Sequence, residues 1–210
     1  MKILLTVFTG LLLFFGCNTT TKKTNDEAEM ATNFETEEPT KKPISESTDF
    51  QFSKFKIMKG QLGPIKIGMT IKEAENQFDE LTKKEDKAIN YGIDGGGSAY
   101  VYYSGNEIIF GLIPNRDNDT VLRIIAKHEN LRTTNGLSPN SSVKELLNKY
   151  PDLMVNRNLM MGWEHFQDRE NGWGFVFKTN QKNRIGEYPD VDNPSKPKRL
   201  TTKTDWITMR

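Results

Sequence analysis

Two short segments of this chain carry the same helix-start signal 72 positions apart, and each is followed by strand-like runs. Thr70-Ile71-Lys72-Glu73-Ala74, ending at Phe78, aligns with Ser142-Val143-Lys144-Glu145-Leu146, ending at Tyr150. In both, a hydroxyl residue stands three positions before a glutamate. That is the capping-box pattern: the hydroxyl accepts from a free backbone N–H, and the carboxylate reaches back to the cap's own N–H. The spacing of Ile71, Ala74, Phe78 and Leu81, and of Val143, Leu146, Leu147 and Tyr150, puts one apolar stripe on each segment. Pro151 closes the second helix.

The runs that follow alternate in the way of half-buried strands. Ala99 to Tyr103, Glu107 to Ile113 and Val121 to His128 follow the first helix, and Gly60 to Ile67 is an opening extended segment. Gly162 to Phe166, Gly174 to Lys178 and Asp205 to Met209 follow the second. Ser104-Gly105-Asn106 reads as a hairpin turn. Helix then antiparallel strands, twice, predicts an α+β fold: short helices packed on antiparallel sheet, arranged as two helix-plus-meander units over 49–131 and 132–210.

The amino-terminal quarter has a different character. Lys2 precedes Ile3 to Phe15, an apolar stretch broken only by Thr6, Thr9 and Gly10, and Gly16 stands before Cys17, the only cysteine. This is the layout of a secretory signal, and it is short for a bilayer span, which needs about 20 residues. Residues 17–48 are rich in Asn, Thr, Ser, Lys, Glu and Pro, with Phe34 and Ile44 as isolated apolar residues. Such a segment cannot bury enough surface to offset the entropy of ordering it, so it reads as a tether.

Leu13-Phe14-Phe15-Gly16-Cys17 resembles the end of a bacterial lipoprotein signal. The resemblance implies cleavage after residue 16, lipid on Cys17 and a membrane-anchored envelope protein. Phe14 and Phe15 are bulkier than the usual residues there; the alternative is an ordinary signal or anchor with Cys17 incidental. A single cysteine in an exported chain fits modification better than disulfide pairing. Asn18 at the next position implies, by the same resemblance, the outer membrane facing the periplasm. In an organism with one membrane, the anchor would sit on its outer leaflet.

Gly63-Pro64-Ile65-Lys66-Ile67-Gly68-Met69-Thr70, leading into Lys72-Glu73-Ala74, resembles the opening of outer-membrane lipoproteins of the SmpA/OmlA kind. It also resembles the β-lactamase inhibitor protein, which repeats such a unit in tandem. The second copy, from Gly136 to Ser142, lacks the Gly-Met-Thr triplet. Both families act by offering a surface to another protein, so the resemblance implies a protein-binding module, not an enzyme.

Charge and motif content agree with binding. The 29 Lys and Arg face 28 Asp and Glu, and loss of Lys2 with the signal leaves 28 against 28. A nucleic-acid binder is expected to show a basic face instead. Gly-x-Ser-x-Gly and His-Glu-x-x-His are absent, and His128 and His165 lie at strand-like runs where a structural role is expected. No cofactor or metal site is predicted. Asp94-Gly95-Gly96-Gly97-Ser98 lacks the Lys-Ser/Thr ending of a phosphate loop and reads as a tight connection. Asn115-x-Asp117-x-Asp119 has Thr120 and Ala126 where a calcium loop needs Gly and Glu, and reads as an Asx turn. The remaining lead is aromatic. Tyr102, Trp163 and Trp173 are the candidate binding surface, for a protein partner or alternatively for a glycan or small ligand. An enzyme with an unrecognised site is the second alternative.

Overall fold

A computed structural model of the chain describes residues 50–190 and 193–210. The signal segment 1–16, Cys17 and the tether to residue 48 lie outside the described residues. Among those described, no helix is long and apolar enough to cross a membrane. The fold is α+β, with two short helices against antiparallel sheet.

The described chain opens with a three-stranded sheet of two-residue strands, β1 (Ile57–Met58), β2 (Gln61–Leu62) and β3 (Ile65–Lys66). Ile57, Leu62 and Ile65 are fully buried, so this small sheet is part of the core wall. Helix α1 (Ile71–Glu75) follows, then β4 (Thr82–Lys87), β5 (Ser98–Ser104), β6 (Glu107–Pro114) and β7 (Val121–Ala126). Helix α2 (Val143–Lys149) starts the second run, with β8 (Asn156–Arg157), β9 (Glu164–Asp168), β10 (Trp173–Phe177) and β11 (Trp206–Met209). The eight strands form one sheet in the order β4-β5-β6-β7-β11-β10-β9-β8. Each helix thus precedes a four-strand meander. The two meanders are joined by their last strands, β7 and β11, paired antiparallel through Ile207↔Ala126, Thr208↔Ile125 and Met209↔Ile124.

Both helices start where their capping boxes place them. Glu73 N–H donates to Thr70 Oγ1 at 3.2 Å, and Thr70 N–H to Glu73 Oε2 at 2.9 Å. The same two bonds join Ser142 and Glu145 at 3.2 and 2.7 Å. Ile71 and Ala74 of α1, with Val143 and Leu146 of α2, enter the main core against one sheet face. That face presents Tyr102, Phe110, Leu112, Ile124, Ile207 and Phe175, all buried. The opposite face carries a smaller cluster, Ala99, Val101, Ile113, Ile125 and Trp206, overlaid by Ala88, Tyr91 and Ile93 from the turn after β4.

The loops take the forms their residues call for. Gly95, Gly96 and Gly97 all have positive φ, as a tight connection requires. Asp117 N–H donates to Asn115 Oδ1 at 3.0 Å in an Asx turn. β4 has no large apolar residue; it pairs with β5 over six residues, Lys83 and Lys84 lying over the rings of Tyr100 and Tyr103. Its charges suit a sheet edge that must not recruit further strands.

The segment between β10 and β11 is tied down by one buried carboxylate. Glu164 is fully buried and accepts from Ile185 N–H at 2.7 Å, Gly186 N–H at 2.8 Å and the Tyr188 hydroxyl at 2.8 Å. Glu164→Gln replaces one acceptor oxygen by a donor facing donors, and is expected to destabilise the fold by about 1–3 kcal/mol, read by urea unfolding. Ser142→Ala, which removes a cap, is expected to cost about 1 kcal/mol in the same measurement.

A cationic recess on the uncovered sheet face

Alternation along the strands sends His165 and Gln167 of β9, Gly174 and Val176 of β10, and Thr208 of β11 to the face away from the helices. The register sets them side by side: Gly174 pairs with Gln167 on one flank and Thr208 on the other, and Val176 pairs with His165. Because Gly174 has no side chain, the sheet sinks there. A Cβ at that position would lie 3.3 Å from Gln167 Oε1 and 3.8 Å from Thr208 Cβ. The result is a recess of about 190 Å3, half open to solvent, walled by Tyr91, Gly92 and Ile93 on one side and Asn158 and Trp163 on another.

Two arginines reach this recess from neighbouring strands. Arg123 comes from β7, where it is the one charged residue in Val121–Ala126. Arg210 lies one residue beyond β11, and continuing the β7–β11 register sets it opposite Arg123. Gly172 fixes that end of the strand. It has a φ of +67°, its carbonyl accepts from Arg210 N–H at 3.2 Å, and a Cβ would come within 2.6 Å of the Arg210 carbonyl oxygen. Any larger residue there would push Arg210 away.

Neither Arg123, Arg210 nor His165 makes an ion pair or a side-chain hydrogen bond with any described residue, and Arg123 Nε is buried without a partner. Burial, and then repulsion from Arg210, lowers the pKa of the Arg123 guanidinium. The same two causes in the same order hold the His165 imidazole below its ordinary value of 6.5. A desolvated donor without a protein acceptor and two like charges across adjacent strands are both costly. Chemically the lining offers the N–H donors of Arg123, Arg210 and His165 beside the Trp163 indole. That arrangement suits a carboxylate, sulfate or phosphate group, with charge-assisted hydrogen bonds from the guanidinium groups.

The three aromatic residues expected to form a binding surface are not brought together. Trp163 lines the recess, its ring edge-on to Trp206 at 5.1 Å between centroids. Tyr102 and Trp173, each 1% exposed, belong to the main core on the helix side, which corrects their placement on an exposed platform. Tyr102 packs on Phe110 and Phe78 and donates its hydroxyl to Glu75 Oε1 at 2.7 Å. Trp173 shares its face with Phe175 and Phe177, and strand alternation puts all three inward. His128 is structural, its ring tilted against Phe52 at 4.5 Å between centroids and bonded to Glu107 at 2.9 Å. The sequence motifs do not point to Arg123 or Arg210, and His165, expected to be structural, lines the recess. The available signal was Arg123 itself, a cation at an alternating position inside an apolar strand.

No family model and no curated protein matches this chain. Among solved structures, its fold is similar to that of the uncharacterized protein yfeY from Escherichia coli. The TM-score is 0.50 at 11% identity, over 74% of this chain and 99% of that one.

Proposed function

We propose that this protein is a membrane-anchored envelope lipoprotein whose folded domain binds a small anionic ligand in the recess between β7 and β9. The observation that carries the ligand reading is the group Arg123 and His165, both half-buried, with the exposed Arg210 repelling each of them, and none with an ion-pairing partner among the described residues. An anion seated there supplies the missing acceptor for Arg123 Nε and removes the repulsion. A small ligand is favoured over a protein partner because Arg123 and His165 are half-buried in a hollow and Tyr102 and Trp173 are spent in the core. The anchor reading rests on Cys17 at the end of its apolar run, and two acyl signals suffice for stable attachment. Outer-membrane attachment facing the periplasm rests on Asn18.

Sulfate is a suitable probe, since its charge is constant over the working range of pH. Added at millimolar concentration to the ¹⁵N-labelled protein, it is expected to shift the side-chain resonances of Arg123, Arg210 and His165. An Arg123→Gln/Arg210→Gln double variant is expected to weaken binding at least about tenfold, the scale of one or two lost charge-assisted bonds. Glycerol is expected to shift none of them. Unmoved resonances with sulfate would remove the ligand reading. Mass spectrometry of the mature amino terminus tests the anchor separately, and an unacylated Cys17 ends it.

The pH dependence has a definite sign. Without ligand, His165 titrates below 6.5, while in the unfolded chain it takes up its proton at about 6.5. Its contribution to stability is therefore complete above that value and is lost as pH falls from it through the lowered folded pKa. A bound anion favours the imidazolium, so binding takes up a proton and sulfate affinity is expected to rise as pH falls through the same window. Arg123, Arg210, Tyr91 and the buried Glu164 line the recess with the ring; burial and Asp86 raise the Tyr91 hydroxyl far above this range. His165→Gln is expected to flatten the pH profile of sulfate binding.

A further inference from the structure

The recess has an apolar lip. Asn158 and Trp163 both line it, and the four residues between them form the β8–β9 turn. At the tip, Leu159 is 55% and Met160 60% exposed, the two most exposed large apolar side chains among the described residues. They are adjacent, so they make one patch. Leu159 is the next residue after Asn158, which puts their Cα atoms about 3.8 Å apart.

The tip is held in place by the same asparagine that lines the recess. Asn158 Oδ1 accepts from both Met160 N–H and Met161 N–H at 3.1 Å. Asn158 N–H donates to the Trp163 carbonyl at 2.8 Å, and Gly162 N–H to the Asn158 carbonyl at 2.7 Å. A hairpin tip free to be anything polar is instead fixed with two large apolar groups pointing to water. Exposed apolar residues scattered singly need no explanation, whereas a constrained adjacent pair beside a cationic hollow has a directional arrangement. Arg123, Arg210 and the Trp163 indole line the recess, and Leu159 and Met160 follow directly on its lining residue Asn158.

We infer that the ligand of the recess is a single-chain anionic amphiphile, with its carboxylate, sulfate or phosphate head on Arg123 and Arg210 and its alkyl chain over Trp163 onto Leu159 and Met160. This rests on the anion-binding reading above and adds the tail. The recess, at about 190 Å3, holds a head and a few methylenes, and the remainder of the chain runs out across the lip. The unbranched, polarizable side chain of Met160 suits alkyl chains of varied length. The occupant is a monomer and not a bilayer surface, because Arg123 and His165 are half-buried in a hollow that a flat surface does not enter, although Arg210 is exposed.

The experiment compares methyl, hexyl and decyl sulfate below micelle formation, by calorimetry on the full-length chain carrying Cys17→Ser. Affinity is expected to rise about two- to fourfold per methylene over the first several carbons, the scale of partial to full burial of each CH2. Leu159→Ser/Met160→Ser, both at exposed positions, is expected to lower decyl sulfate affinity at least about tenfold and leave methyl sulfate unchanged. Gly174→Val, which fills the floor, is expected to weaken all three, with unfolding midpoints confirming that each variant is folded. Affinity independent of chain length, or a Ser/Ser variant that binds decyl sulfate normally, would overturn the amphiphile while leaving anion binding intact. Decyl sulfate that binds equally well to Arg123→Gln/Arg210→Gln would overturn the anion reading itself. Sedimentation with phosphatidylglycerol vesicles distinguishes the source: protein carried down by vesicles but blind to monomeric decyl sulfate would overturn the monomer in favour of a surface.

Discussion

The pairing of β7 with β11 is the contact on which the rest of this structure depends. Each meander alone is a four-stranded sheet with a short helix on one face, and each would end in an open edge of unpaired backbone groups. Three residue pairs across the seam, Ile207↔Ala126, Thr208↔Ile125 and Met209↔Ile124, satisfy both edges at once. Ile207, Met209, Ile124 and Ala126 then face the same side and merge two small cores into one. Joining last strand to last strand also leaves the first strands, β4 and β8, at the outer edges. There β4 is studded with Lys, Glu and Asp and β8 is only two residues long. Both are edges that resist further pairing.

The seam also creates the site. Arg123 belongs to the first meander, while Arg210 and His165 belong to the second, and only antiparallel pairing of β7 with β11 sets the two guanidinium groups opposite each other. Neither half holds the constellation alone. The helices cover one sheet face and leave the other to a single turn at Ala88–Tyr91, so the uncovered side has room for a hollow. Gly174 at its floor and Gly172 at its end are backbone provisions for that hollow and contribute nothing to the core. Residues kept at a cost in packing and charge are where a fold departs from maximal stability, and such departures concentrate at functional sites.

How much of this is legible in the residues depends on how local the cause is. The two helix starts are local: a hydroxyl and a glutamate three residues apart bond each other whatever the rest of the chain does, and α1 and α2 begin where that predicts. The apolar strands are legible from alternation, to within a residue or two at most ends. β4 is not, because Thr82–Lys87 owes its strand form to a neighbour: Tyr100 and Tyr103 supply the rings on which Lys83 and Lys84 lie. The helix stripes overreach for a related reason. Phe78 and Leu81 lie beyond the end of α1 at Glu75 yet still pack against the core, so their spacing reports burial and not helix. At the site, alternation orders Tyr100, Tyr102 and Tyr103 correctly between faces but cannot say which face is covered. Tyr102 and Trp173 fall on the covered one.

The absence of a familiar motif from the recess follows from how it is built. Motifs record chemistry in which neighbouring residues act together, as in a glycine loop followed by a lysine or two histidines one helical turn apart. Here the cooperating residues are brought together by sheet register, 42 and 45 positions from Arg123 to His165 and from there to Arg210. Sheet register carries no sequence spacing that a pattern could store. What the chain does record is each residue's misfit with its own strand: a cation in an apolar run, a glycine among aromatics, an exposed leucine and methionine in a turn fixed by an asparagine. Taken singly these are ordinary exceptions. They gain meaning together because one face of one sheet gathers the cations and the Trp163 indole around one recess, with the apolar pair in the adjoining turn. A polar head with an apolar tail is the chemistry that matches that set of surfaces.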